Sequence, residues 1–163
     1  PGLTNLITPM LDAQNDSCAM VVISGNVPLK FMGTQAFQEC PSLGITKPFT
    51  KWSKLVECVD DLPYILDKAF YIAQNGKKGC VHIDLPKCVS ADILKQVNIK
   101  LFNKNNFKSK KFFPNTNLLE ISNLINKAEI PILILGQGCK NDSRLIRQFV
   151  KLANIPVTST FFI

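Results

Sequence analysis

Two polar stretches of the sequence follow apolar runs and could bind a ligand. The first is the loop 33–39, Gly-Thr-Gln-Ala-Phe-Gln-Glu, whose pattern is too irregular for a strand and too short for a stable helix. The second is Lys87, which follows Pro86 at the end of the apolar run 80–85. Open α/β sheets bind ligands at the carboxyl ends of their parallel strands. We therefore expect the exposed loop and Lys87 to meet at one edge of a sheet, although an ordinary surface lysine is the alternative for Lys87.

His82 is the only histidine and invites the hypothesis of a catalytic base. No serine or cysteine nucleophile can be paired with it from the sequence, so a packed or hydrogen-bonded strand histidine is the favoured interpretation. The six cysteines contain no Cys-x-x-Cys pair and have no neighbouring histidine, which argues against a metal site. Several lie in apolar runs, where we expect reduced thiols to pack as small hydrophobic side chains.

The elements that position these residues alternate between strands and helices. Apolar positions from Leu3 to Leu11 recur at helical spacing, with Thr4 or Asn5 as the expected cap. The run 19–23 is uniformly apolar and predicts a strand covered on both faces, closed by a turn at 25–28. Short extended pieces are expected within 45–56. A clear helical stripe covers 62–73 and ends at Gly76, and a strand covers 80–85.

The net charge of +7 comes mainly from one segment. Six lysines between residues 95 and 111 lie in a stretch without Asp or Glu, and the rest of the chain carries only +1. A solvated linker rich in Lys and Asn is favoured over a surface that binds nucleic acid, because no aromatic-interleaved basic motif accompanies it. No apolar run is long enough to cross a membrane. The chain begins at Pro1 and stops within an expected strand, so we expect an internal fragment of a longer protein.

A second unit follows the basic segment. It reads as a helix over 118–128, a strand over 131–135, a turn at 136–138, a helix over 145–153 and a strand over 157–162. This order predicts a βαβ unit with a right-handed crossover. The turn Gly136-Gln137-Gly138 lacks the third glycine of a dinucleotide fingerprint and is weak support for a nucleotide by itself.

Several motifs together resemble one known family. They are Pro-Gly-Leu-Thr-Asn-Leu at 1–6, Gly-Asn-Val-Pro at 25–28, the loop 33–39, Asp-Leu-Pro at 61–63 with Ala-Phe at 69–70, Asp-Leu-Pro-Lys at 84–87 and Gly-Gln-Gly at 136–138. In this order they are similar to the large catalytic subunit of acetohydroxyacid synthase (acetolactate synthase), a member of the thiamine-diphosphate enzyme superfamily. The resemblance covers nearly the whole chain, and the loop is its most specific part.

The resemblance implies an α/β fold with parallel sheets flanked by helices. Residues 1–90 would be the end of a pyrimidine-binding domain, 91–114 a basic linker, and 115–163 the start of a Rossmann-like central domain associated with FAD. The family condenses two molecules of pyruvate, or pyruvate and 2-oxobutyrate, with loss of CO2, on the way to valine, leucine and isoleucine. It uses thiamine diphosphate, Mg²⁺ and FAD.

The resemblance also assigns roles to individual residues. Gln38 would be catalytic, and Phe37, Gln38 and Lys87 would bind substrate. Phe37 suits an apolar wall that excludes water, Gln38 can donate an amide hydrogen bond to a carboxylate or a developing alkoxide, and Lys87 would attract anionic 2-oxo acids. FAD would contact residues from both units, namely Lys77, Gly136, Gln137, Gly138, Thr160 and Phe161. No metal ligand is expected within the chain, since the activating glutamate would precede Pro1 and the magnesium site would follow Ile163.

Five positions depart from the family pattern. The family usually has Gln where this chain has Asn26, Asp where it has Gln35, Arg-Pro where it has Lys77-Lys78, and Gly where it has Gln137. A lysine keeps the charge of that arginine without its bidentate fork. The resemblance further implies a homodimer or higher oligomer and a possible regulatory small subunit. Richness in Lys, Asn, Ile and Phe indicates an AT-rich genome, compatible with a bacterial cytoplasmic or a plastid protein. From the composition, neither nucleic-acid nor membrane binding is expected. The alternatives are another thiamine-diphosphate enzyme, such as glyoxylate carboligase or pyruvate oxidase, and a non-catalytic paralogue.

Overall fold

A computed structural model describes residues 1–95, 101–103 and 117–160. The chain forms two compact units, Pro1–Lys110 and Lys111–Ile163. The division falls inside the segment 91–114, whose assignment as a linker stays a prediction because most of it lies outside the described residues. Both units have parallel strands flanked by helices, so the α/β fold class is confirmed.

The first unit is built on a three-stranded parallel sheet. Its strands are β1 (Met20–Asn26), β2 (Trp52–Leu55) and β3 (Cys80–Pro86), in the spatial order β1-β3-β2. The central strand β3 confirms the strand predicted over 80–85, and its residues are buried apart from a half-buried Leu85. In the register of the sheet, Val22 lies opposite His82 and Ser24 lies opposite Asp84.

The prediction for β1 was wrong in two respects. The strand continues through Gly25 to Asn26, where a turn was expected, and the chain turns only at Val27 and Pro28. Ile23 is 50% exposed, although both faces were expected to be covered. The reason is the position of β1, which among the described residues pairs with β3 alone and therefore lies at an edge.

Helix α1 (Gly2–Asn15) begins earlier than its expected cap. Pro1 is the N-cap residue, and the Thr4 hydroxyl donates to the Pro1 carbonyl oxygen from within the first turn at 2.8 Å. Neither Thr4 nor Asn5 caps the helix, so that prediction was wrong. The helix buries Leu3, Met10 and Ala13.

Residues 45–56 were expected to form short extended pieces. Strand β2 is one such piece, whereas residues 45–49 are helical. Helix α2 (Ser42–Thr46) continues into a 3₁₀ turn at Lys47–Phe49, and only β2 is extended. The Thr46 hydroxyl donates to the Ser42 carbonyl oxygen one turn earlier, at 2.9 Å. This local hydrogen bond satisfies the Thr46 hydroxyl within the helix. The apolar pattern of the sequence alone does not predict it.

Helix α3 (Leu62–Gln74) confirms the stripe predicted over 62–73. Pro63 lies in its first turn, where a missing N–H costs nothing, and Gly76 adopts a positive φ of 67° just beyond its end. The helix packs on one face of the sheet, while α1 packs on the other. The core on the α3 side contains Val56, Ile65, Ala69, Ala73, Val81, Ile83 and Val89. The core on the α1 side contains Leu3, Met10, Val22 and Cys80.

The second unit confirms the predicted βαβ order. Helix α5 (Asn117–Lys127) precedes β4 (Leu133–Leu135), helix α6 (Ser143–Ala153) and β5 (Val157–Ser159). The two strands are parallel. Residues 161–163, included in the predicted last strand, lie outside the described residues. The short helix α4 (Lys87–Ser90) of the first unit follows β3 directly.

Candidate functional site

A cavity of about 800 Å³ lies at the carboxyl end of β1 in the first unit. Its size is in the range that accommodates a small organic ligand. Four stretches of chain contribute walls: the first turns of α1, the end of β1 with the turn after it, the loop 33–39 with Cys40, and the end of β3 with the segment after it. The lining residues are Pro1, Gly2, Leu3, Leu6, Ile23, Ser24, Gly25, Asn26, Val27, Pro28, Phe37, Gln38, Cys40, Leu85, Lys87 and Ser90.

The structure brings Phe37, Gln38 and Lys87 to this one cavity. Phe37 is 89% exposed, so its ring is a free apolar surface and not part of the core. Lys87 is the first residue of α4, immediately after the last residue of the central strand. The expected meeting of the loop with Lys87 at the carboxyl edge of the sheet is therefore confirmed, whereas their chemical roles stay predictions.

The loop 33–39 is exposed and irregular, as expected, and it holds a strained residue at the cavity. Gln38 has a φ of 64° and Gln35 a φ of 60°, both in the left-handed region that side chains other than glycine rarely adopt. Such a conformation costs about 1 to 3 kcal/mol and is typical of functional loops whose surroundings impose it. Only Gln38 of this pair lines the cavity.

Asp84 is a buried carboxylate that links several elements near the cavity, a structural role that the sequence did not indicate. Asp84 is 2% exposed, and its Oδ2 accepts hydrogen bonds from Asn26 Nδ2 at 2.9 Å and from the Ser42 hydroxyl. Asn26 Nδ2 also donates to the Cys40 carbonyl oxygen at 3.1 Å. Asn26 thereby ties the end of β1 both to β3 and to the residue after the loop. The motif Asp-Leu-Pro-Lys marked Asp84, but only the strand register places Asn26 beside it.

His82 confirms the interpretation of a buried, hydrogen-bonded histidine. Its Nδ1 lies 3.0 Å from the Thr46 hydroxyl and its Nε2 lies 2.8 Å from the Ser24 hydroxyl. Both ring nitrogens of His82 thus have a hydroxyl partner, and one donates while the other accepts in the neutral ring. Burial lowers the pKa of His82, and the Asp84 charge opposes this effect. The structure thus pairs a cavity-lining serine with His82, a contact that the sequence could not indicate.

Lys77 is not at the cavity. It lies in the turn before the amino end of β3, whereas Lys87 follows the carboxyl end. Seven strand residues, at about 3.3 Å each, separate the two lysines by roughly 20 Å. Lys77 and Lys87 therefore lie at opposite ends of strand β3.

In the second unit, the structure brings the predicted cofactor residues Gly136, Gln137 and Gly138 close to Thr160. The turn begins where β4 ends, and the Thr160 amide donates to the Leu135 carbonyl oxygen at 3.0 Å. Both stretches thus lie at the carboxyl edge of this sheet, where α/β units bind ligands. Phe161 lies outside the described residues.

The cysteines are free thiols. Cys80 is buried, and burial raises its pKa to about 11. Cys18, Cys58 and Cys88 are exposed, so the expectation that several cysteines pack in the core was too broad. Within residues 1–95, 101–103 and 117–160, no group of three or more His, Cys, Asp or Glu side chains is arranged to hold a metal ion. In the same ranges, no helix has both the length and the apolar character needed to span a bilayer.

Comparison with known proteins bears on the cavity directly. Residues 1–45 match the family described as thiamine pyrophosphate enzyme, N-terminal TPP binding domain. This stretch contains α1, β1 and the loop 33–39, which are three of the four contributors to the cavity wall.

Curated relatives match along almost the whole chain. Acetolactate synthase 1, chloroplastic, of Zea mays is 39% identical over 98% of this chain. The acetolactate synthase catalytic subunit, mitochondrial, of Saccharomyces cerevisiae is 38% identical, and acetolactate synthase, chloroplastic, of Arabidopsis thaliana is 39% identical, each again over 98%. The chain spans about a quarter of the length of these relatives. Along almost its whole length, the chain is thus similar to acetolactate synthase catalytic subunits, and it corresponds to about one quarter of such a subunit.

Proposed function

We propose that the full-length protein is a thiamine-diphosphate-dependent acetolactate synthase. It would condense two molecules of pyruvate, or pyruvate and 2-oxobutyrate, with release of CO2, and so supply precursors of branched-chain amino acids. The observation that carries the proposal is the cavity at the end of β1, whose walls come largely from the matched residues 1–45.

The cavity is chemically suited to thiamine diphosphate and a small 2-oxo acid. Leu3, Leu6 and Ile23 offer apolar surface for an aromatic ring, while Gln38 and Lys87 offer an amide and a cation for anionic groups. When bound, thiamine diphosphate supplies the electron sink that makes decarboxylation of a 2-oxo acid possible.

The residues of the chain then have distinct tasks. The ring of Phe37 lines the cavity and gives a bound substrate an apolar wall, which limits access of water and protects reactive species from unwanted protonation. Gln38 donates an amide hydrogen bond to the carboxylate or the developing alkoxide of the substrate without introducing an acid. Lys87 draws anionic substrates toward the strand ends.

Mg²⁺ and FAD belong to the proposal for the full-length protein. The proposal assigns no residue of this chain to Mg²⁺, and residues 1–95, 101–103 and 117–160 contain no cluster of three or more potential metal ligands. FAD would be held in the second unit, where the turn 136–138 and Thr160 lie together at the carboxyl end of the parallel strands.

The remaining elements of the proposal concern assembly and location. A homodimer or higher oligomer, with a possible regulatory small subunit, follows from the family resemblance. The named relatives are chloroplastic or mitochondrial enzymes, which supports an organelle such as the plastid, with the bacterial cytoplasm as the alternative.

The deciding experiment supplies purified full-length protein with pyruvate, thiamine diphosphate, Mg²⁺ and FAD. Formation of acetolactate with release of CO2 is expected. Acetate or acetyl phosphate with oxygen uptake would instead identify a pyruvate oxidase, and turnover of glyoxylate alone would identify a glyoxylate carboligase. Absence of any product from a folded protein would identify a non-catalytic paralogue.

A further inference from the structure

The carboxylate of Glu39 closes the loop that carries Phe37 and Gln38. Its Oε1 accepts a hydrogen bond from the Gly33 amide, and its Oε2 accepts one from the Ala36 amide at 3.1 Å. The Glu39 amide in turn donates to the Ala36 carbonyl oxygen at 2.9 Å. Glu39 thus bonds to both the first residue of the loop and the residue just before Phe37.

The hydrogen bonds from backbone amides to Glu39 favour the ionised form of its side chain. The Gly33 amide foremost, and then the amides of Ala36, Gln35 and Thr34, lower the pKa of Glu39, while burial acts in the opposite direction. Successive backbone amides that converge on one anion form a concave binding arrangement. Here the anion is supplied by the loop itself, so charge-assisted hydrogen bonds hold the loop in one shape.

The two residues enclosed by these bonds are the ones that reach the cavity. Phe37 and Gln38 lie between Ala36 and Glu39, and Gln38 is held at a φ of 64°. An isolated chain would leave this unfavourable conformation readily, so the surroundings must impose it. Glu39 does not line the cavity and lies against a separate surface pocket with Gly33, Gln35, Ala36 and Pro41.

We propose that Glu39 is a positioning residue for the reaction, acting through the loop on Phe37 and Gln38. The inference rests on the proposed function, because it assumes that these two side chains contact substrate. Loss of the carboxylate would release Gln38 from its left-handed conformation and move its amide out of line with the substrate. Misplacement of a catalytic group by about 1 Å can lower a rate by roughly 100-fold.

The test uses full-length protein with Glu39→Ala and Glu39→Gln. Glutamine keeps the shape and one acceptor oxygen, so it can hold one amide but not both. We expect kcat for acetolactate to fall about 10- to 100-fold in Glu39→Ala and by a smaller factor in Glu39→Gln, with KM for pyruvate changed less than kcat. Amide hydrogen exchange at Gly33 and Ala36 should accelerate in the same order. Glu57→Gln is the matched control, because Glu57 is exposed and forms only a 3.8 Å ion pair with Lys54.

Two results would overturn the inference. Faster exchange at Gly33 and Ala36 with kcat and KM within twofold of the wild type would show that the loop needs no fixed shape for the reaction. A lower melting temperature with unchanged turnover per folded molecule would assign Glu39 a structural role only. A wild-type protein that makes no acetolactate would instead overturn the proposed function together with this inference, and the two failures are therefore distinguishable.

Discussion

At the scale of single residues, the cavity combines an aromatic ring, an amide and an ammonium group. The sequence indicated Phe37, Gln38 and Lys87 because each follows a strand-like run and belongs to a motif. It did not indicate Asn26 beside Asp84, or Ser24 beside His82, because these contacts depend on the register between β1 and β3. Register is a property of paired strands, and one chain segment read alone does not contain it.

Replacing Gln38 tests whether its side-chain amide contributes to the reaction. A control at a second residue with positive φ accounts for the effect of backbone strain. For the full-length protein, the proposed function predicts that Gln38→Ala lowers kcat/KM about 10- to 100-fold, the range expected for losing a hydrogen bond to a charged group. Gln35→Ala is the matched control, because Gln35 has a similar positive φ but does not line the cavity. Steady-state kinetics with pyruvate alone and with added 2-oxobutyrate would measure both turnover and second-substrate selection. Equal kinetics in the two variants would remove Gln38 from the site.

Lys87 should act mainly through its charge. Lys87→Met is expected to raise KM for pyruvate several-fold and to weaken the dependence of kcat/KM on ionic strength, because salt screens attraction between charges. Lys54→Met serves as the control at a partly exposed lysine on β2 that does not line the cavity. A salt dependence identical to that of the wild type would contradict a steering role for Lys87.

At the scale of elements, the predictions succeeded where the pattern is long or strongly buried. Helix α3 and strand β3 were correctly predicted because an apolar stripe with terminal Pro and Gly, and a compact apolar run, are strong local signals. Helix α2 was missed because its side chains are satisfied by tertiary partners, such as Ser42 on Asp84. The edge position of β1 was missed because neighbours in a sheet cannot be counted from one strand.

The buried His82 on β3 leads to a prediction of how the stability of the fold depends on pH. The folded state holds His82 neutral with a pKa below its ordinary value of 6.5. The unfolded chain therefore binds a proton more readily, so the stabilisation is complete above about pH 6.5 and is lost as the pH falls below it. Urea unfolding between pH 7.5 and 5 should show a decrease in stability that is smaller in His82→Gln. A decrease of the same size in both proteins would exclude His82 as its source.

At the scale of the whole molecule, the two units were predicted as the end of one domain and the start of another. The resemblance placed both correctly in the α/β class, since their motifs keep the order found in acetolactate synthases. The exact boundaries stay predictions, because a Lys/Asn-rich segment has no periodicity to locate them. Beyond α4, Phe102 anchors the chain to the first unit. Its ring packs against the rings of Tyr64 and Tyr71 on α3, with centroid distances of 5.8 and 5.3 Å.

That anchor should contribute measurably to the stability of the first unit. Phe102 is buried, and its amide donates to Asp67 Oδ2 at 3.1 Å. Phe102→Ala should lower the free energy of unfolding by about 3 to 5 kcal/mol, as expected for removing a buried phenylalanine. Leu101→Ala is the control at an exposed neighbour, and denaturant titration measures both. Equal stability of the two variants would show that the segment is not anchored.

The alternation of side chains along β3 has a consequence for how the protein folds. His82 and Asp84 point into the layer with Ser24, Ser42 and Thr46, while Val81 and Ile83 point into the apolar core under α3. A shift of β3 by one residue in register would place the side chains of His82 and Asp84 in the apolar core. It would also leave their hydroxyl partners without hydrogen bonds. The polar side chains of this layer therefore disfavour misaligned pairing of the strands and help to fix the register that brings Ser24 and Lys87 to the same cavity.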